Sequence, residues 1–87
     1  MKLYLLTQTE NRGWDTFDSC VVCAVDVKDA SIIHPSISYG AEFTPDCPNW
    51  DSNDDWATSP DGVVVTYLGK ADTKTKRGVI LSSFNAG

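Results

Sequence analysis

The sequence predicts an α+β fold, a small two-layer sandwich whose mainly antiparallel sheet of about four strands carries one short helix, in the order β-β-α-loop-β-β. Three observations lead to it. Two β-rich runs lie near the start, Lys2–Gln8 and Thr16–Val25, and two more near the end, Val63–Leu68 and Val79–Phe84. Between the pairs, Val27, Ala30 and Ile33 recur at helical spacing after an aspartate able to cap a helix. The first two runs are joined by the short polar stretch Thr9–Gly13, too brief for a parallel crossover, so they are expected to pair antiparallel.

Taken in order, Lys2–Gln8 alternates Leu3, Leu5 and Thr7 against Tyr4, Leu6 and Gln8, the period-two pattern of a strand. In the second strand Phe17, Ser19, Val21, Cys23 and Val25 should share one face, with Asp18, Cys20, Val22 and Ala24 on the other. Both faces are apolar at its centre, so this strand is expected to be central and covered on both sides. One helix cannot cover two faces. The second cover is expected from the long loop that follows or from another subunit, which predicts a homo-oligomer.

Asp26 should cap a helix from Val27 to about Ile33, with Asp29 in its first turn, where a carboxylate favours the helix dipole. Val27, Ala30 and Ile33 form the expected buried stripe, and Pro35 stops the helix. His34 is expected beside the last helical carbonyls. From Ser36 to Gly62 the chain carries Gly40, Pro45, Pro48 and Pro60 together with Tyr39, Phe43, Trp50 and Trp56. A loop of this length within a small domain is uncommon and often functional, and its aromatics argue for pinning against the body or a partner.

Eighty-seven residues predict a single domain, 1–87, at a size where oligomerisation is a common way to add buried surface. A hydrophobic content of 41 % is ample for a folded core, which argues against disorder. The first residues turn polar too quickly for a secretion signal, and no apolar run approaches a membrane span. The expectation is therefore a cytosolic protein with no membrane partner. An odd count of three cysteines in a reducing compartment predicts free thiols, and Cys47 is the one expected to be exposed.

Cys20-Val-Val-Cys23 resembles a metal or redox C-x-x-C pair. In a strand, residues three apart point to opposite faces, so these two thiols are not expected to share a metal or a disulfide. Asp51-Ser-Asn-Asp-Asp55 opens like a calcium loop, but Trp56 stands where the turn needs glycine and Gly62 where a bidentate glutamate belongs. No metal and no cofactor are expected. A single histidine, with no nucleophile elbow and no phosphate loop, leaves nucleophilic catalysis and phosphoryl transfer without their parts. Asp15 and Asp18 could form an acid–base pair, although turn and strand-start carboxylates usually bind backbone N–H groups. A non-enzymatic protein is the expectation.

Charge is segregated beneath the net value of −5. No Lys or Arg occurs between Lys28 and Lys70, a stretch that holds Glu42, Asp46, Asp51, Asp54, Asp55 and Asp61. Lys70, Lys74, Lys76 and Arg77 fall close together after it. An acidic chain is a poor nucleic-acid binder, so no direct nucleic-acid binding is expected. An acidic 42–61 loop could instead cover a basic protein surface. Trp14, Tyr39, Trp50 and Trp56 lie in predicted loops, where aromatics serve as binding anchors. With Lys74, Lys76 and Arg77 they form the candidate binding set, since stacking plus cations is how proteins capture nucleotides. The competing reading makes the tryptophans lids over a thin core and Lys70–Arg77 a solvated hairpin tip.

The runs Tyr4–Gln8, Gly13–Ala24, Ile33-His-Pro35, Trp56–Pro60, Val65–Gly69 and the closing Gly78-Val-Ile-Leu-Ser-Ser-Phe-Asn-Ala-Gly87 resemble a family of short accessory proteins encoded by tailed bacteriophages. The likeness spans nearly the whole chain and carries no catalytic residues. It implies a protein made in the cytoplasm of an infected bacterium. Accessory proteins of this kind often neutralise a bacterial defence component by stoichiometric binding. Here that is expected either as sequestration of a nucleotide immune signal in a pocket at an oligomer interface or as cover of a basic effector surface by the acidic 42–61 loop. A small assembly or structural phage protein is the remaining alternative.

Overall fold

A computed structural model describes residues 1–36 and 55–85. Four strands, β1 (Lys2–Thr7), β2 (Thr16–Ala24), β3 (Val64–Lys70) and β4 (Gly78–Asn85), form one antiparallel sheet in the order β3-β1-β2-β4. A short helix, α1 (Val27–Ser31), and a 3-10 turn at Pro60–Gly62 complete the small α+β fold. The two N-terminal strands are the central ones because their own hairpin brings them together. The two C-terminal strands, β3 and β4, then occupy opposite edges.

That order corrects one expectation. The basic segment after β3 is not the tip of a hairpin, because β3 and β4 do not pair. It crosses one end of the sheet, where the Ala71 N–H donates to the Met1 carbonyl at 3.1 Å and an Asp72 turn accepts from the Lys74 and Thr75 N–H groups.

The sheet's two faces differ in cover. Register places Tyr4 opposite Val22 and Leu6 opposite Cys20, with Val65 and Tyr67 beside them from β3. This face is buried beneath Ala30, Ile33, Trp56 and Ala57, which form one core cluster with Tyr4, Leu6, Cys20, Val22 and Ala24. Trp56 is the largest fully buried side chain among the described residues. The alanines around it leave the volume an indole needs. Tyr4 and Tyr67 meet edge to face at 5.8 Å.

The opposite face carries Leu3, Leu5 and Val21, all half-buried, with Val64 and Leu81 exposed at its edges. Cys23 lies on this face and is nevertheless fully buried. Its cover is a third source that sequence reading missed: the crossing segment and Met1, with the Cys23 Sγ 3.9 Å from the Thr75 carbonyl and 4.0 Å from the Met1 Sδ. Cys20 and Cys23 thus face opposite sides of the strand, and both are free thiols.

Two local expectations fail for backbone reasons. The β2–β4 register slips by one residue at Asp18, so Phe17 packs against the core cluster and stacks edge-on to Phe84 at 4.8 Å instead of sharing the face of Val21. Bulges reverse the side-chain alternation in this way. Helix α1 is a single turn ending at Ser31, short of Ile33, so Val27 at its first position lies exposed while Ala30 and Ile33 are buried. The cap behaves as expected: the Asp29 N–H donates to the Asp26 Oδ1 at 2.8 Å. Among the described residues no helix is long and apolar enough to cross a membrane.

Candidate functional site

Trp14 is the described aromatic that stands furthest out, 74 % exposed. It sits in the turn before β2, between Gly13 at φ +120° and Asp15 at φ +60°. Glycine adopts the first conformation freely, and aspartate tolerates the second better than most residues. The turn is held from three sides. The Gly13 carbonyl accepts from the Thr16 hydroxyl at 2.9 Å and from the Asn85 side-chain amide at 2.7 Å. The Asp15 N–H donates to the Asn85 carbonyl at 2.5 Å. Backbone in sparsely populated conformations persists only where its surroundings fix it, and here the end of β4 does so. The result is an indole presented to solvent on a rigid mount. Arg12 is exposed two residues away. It is a cation the sequence analysis did not single out, although its place beside Trp14 in a polar turn was legible.

Trp56 goes the other way. It is fully buried in the core, its carbonyl accepts from the Asn11 side-chain amide at 2.5 Å, and the preceding Asp55 carbonyl accepts from the Phe17 N–H at 2.8 Å. This corrects its reading as a ligand platform, because its ring cannot be reached without opening the layer above the sheet. His34 is also fully buried, beyond the end of α1 rather than at its carbonyls. Its Nδ1 accepts the Ser36 N–H at 2.9 Å, its Nε2 lies 3.9 Å from the Asp55 Oδ1, and its ring meets Trp56 edge to face at 6.3 Å. Tyr39 and Trp50 lie outside the described residues, as do Cys47 and most of the acidic 42–61 stretch.

The three cations are divided. Lys74 and Lys76 are exposed on the crossing segment. Arg77 is engaged by Asp29 in a forked ion pair, with its Nη2 2.7 Å from Oδ1 and its Nε 2.9 Å from Oδ2. Asp29 also accepts from the Val25 N–H. The Arg77 guanidinium, with help from that N–H, holds the Asp29 carboxyl below the usual aspartate range against a partial burial that raises it. The pair ties the crossing segment to α1.

Trp14 and the lysines sit at opposite ends of the sheet. Trp14 adjoins the Thr16–Asn85 end of the β2–β4 ladder, and Lys74 and Lys76 precede its Cys23–Gly78 end. Seven residue steps separate the two ends, about 23 Å at the usual rise. Among the described residues, one chain therefore does not bring Trp14 together with Lys74 and Lys76.

A shallow depression of about 200 Å³ lies over the β2–β4 pair, lined by Ser19, Cys20, Val21, Leu81, Ser82 and Ser83. Burial pushes the Cys20 thiol up to about 12, so it stays protonated and a poor nucleophile. No group of three or more metal-ligating side chains comes together among the described residues. Comparison with protein-family models, with curated proteins and with solved structures gives no match.

Proposed function

We propose that this chain is a non-enzymatic binding protein, a phage accessory factor that neutralises a bacterial defence component by stoichiometric contact with a protein surface. The observation that carries the reading is Trp14. A tryptophan held out on a fixed mount has little conformational entropy to lose on association, and this is how interface anchors act. Arg12 beside it and the exposed apolar residues of the sheet edges extend the surface available to a partner.

The described residues support a protein target over capture of a nucleotide within one chain. Stacking and charge neutralisation need an aromatic and a cation on one ligand. Here Trp56 is in the core, Arg77 is engaged by Asp29, and Trp14 lies at the far end of the sheet from Lys74 and Lys76.

The test is phage plating on a bacterial host carrying a defence system, with and without the protein. Wild type is expected to restore plating. Trp14→Ala is expected to lose that effect while keeping its melting temperature, since an exposed side chain contributes little to stability. Full activity of Trp14→Ala would overturn the assignment. A melting-temperature rise with a cyclic or linear nucleotide would redirect the reading to signal capture, because a ligand that binds only the native state stabilises it.

A further inference from the structure

We propose that the outer edge of β4 pairs antiparallel with β4 of a second copy, joining two four-stranded sheets about a two-fold axis between Ile80 and Leu81. The edge is open: β4 pairs with β2 on one side and with no strand on the other among the described residues. Soluble proteins protect such edges with charge, proline or a covering segment. Gly78–Asn85 contains neither a charged residue nor a proline, in a chain of net charge −5. It instead exposes Ile80 at 50 %, Leu81 at 68 % and Phe84 at 47 %. The other edge strand, β3, ends in Lys70, a cation of the kind that blunts an edge.

Charge selects a second copy as the occupant. The start of β4 follows Lys74 and Lys76, and its end lies beside Asp15 and Asp18 of the β2 entry, all four exposed. Antiparallel pairing of identical strands is self-complementary, so the start of one β4 meets the end of the other. The lysines of each copy then face the aspartates of its partner, twice. The same geometry sets Trp14 of one copy within about two strand spacings, ~10 Å, of the other copy's crossing segment. In the dimer Trp14 approaches the lysines that, within one chain, lie at the opposite end of the sheet. This inference does not rest on the proposed function, since self-association is measured without any target.

The experiment is the solution mass of the purified full chain by light scattering across a concentration series. The wild type is expected to reach twice the single-chain mass of 9.5 kDa. Leu81→Lys places a charge on the exposed edge and is expected to give the single-chain mass with an unchanged circular dichroism spectrum. Lys76→Glu is expected to weaken the dimer about tenfold, because two-fold symmetry repeats each lost pair. Adding Asp18→Lys to the same chain should restore it. A wild type that stays at 9.5 kDa at every concentration overturns the proposal. So does a dimer that Leu81→Lys leaves intact, or one that only Leu68→Lys on β3 dissociates.

Discussion

The two faces of the sheet are built from the same strands and differ in what lies above them. On one, Tyr4, Leu6, Cys20, Val22 and Ala24 are sealed by α1 and the segment around Trp56. On the other, the described residues close only the end around Cys23, and Leu81 and Val64 are exposed. Both carry apolar side chains, so composition does not distinguish them. Stability resides on the first face, where transfer from water is complete.

The largest expected effect tests the sealed face. Trp56→Ala removes its largest buried side chain and should cost about 3–5 kcal/mol. That is a large part of the roughly 4–13 kcal/mol expected for a chain of this size. The measurement is urea unfolding followed by circular dichroism, with an unfolded or barely folded variant expected. Wild-type stability would show that the core does not depend on the indole.

A paired substitution sharpens the contrast between faces. Leu6→Ala should cost about 2–5 kcal/mol, and the same change at exposed Leu81 should stay within about 0.5 kcal/mol in the single chain. Comparable losses from dilute protein at both sites would mean that the second face is as well packed as the first.

The smallest effect concerns the ion pair that fixes the crossing segment over Cys23. Asp29 has a folded pKa below its unfolded value, so the pair stabilises above the unfolded aspartate pKa, near 3.9, and that stability is lost as pH falls through the folded value. Asp29→Asn should therefore cost about 1 kcal/mol at neutral pH. The difference from wild type should close below about pH 4. Thermal melts from pH 7 to pH 3 measure it, and a pH-independent difference would assign the loss to something other than the ion pair.

Much of the fold was legible because it is written in local periodicity. The alternation of Leu and Tyr in β1, the Val–Cys run of β2 and the Asp26 cap each specify their element without help from distant residues. The opposed facing of Cys20 and Cys23 followed from the strand alone. What failed was set by distant contacts. Val27 came out exposed because α1 stops after one turn, and Phe17 changed sides because the ladder slips at Asp18. The candidate set divided for the same reason. Trp14 and Trp56 both read as loop aromatics, and nothing in their immediate neighbours tells a mounted surface indole from a core one.

By itself, then, the sequence determined the strands, the capped helix, the α+β class and the central place of β2, since these follow from side-chain period and backbone preference over a few residues. Tertiary structure alone decided that β3 and β4 lie on opposite edges, that their connection crosses the sheet end to bury Cys23, that Arg77 is engaged by Asp29, and that Trp56 fills the core while Trp14 faces water. Those outcomes depend on which distant surfaces meet, and short-range periodicity carries no record of that.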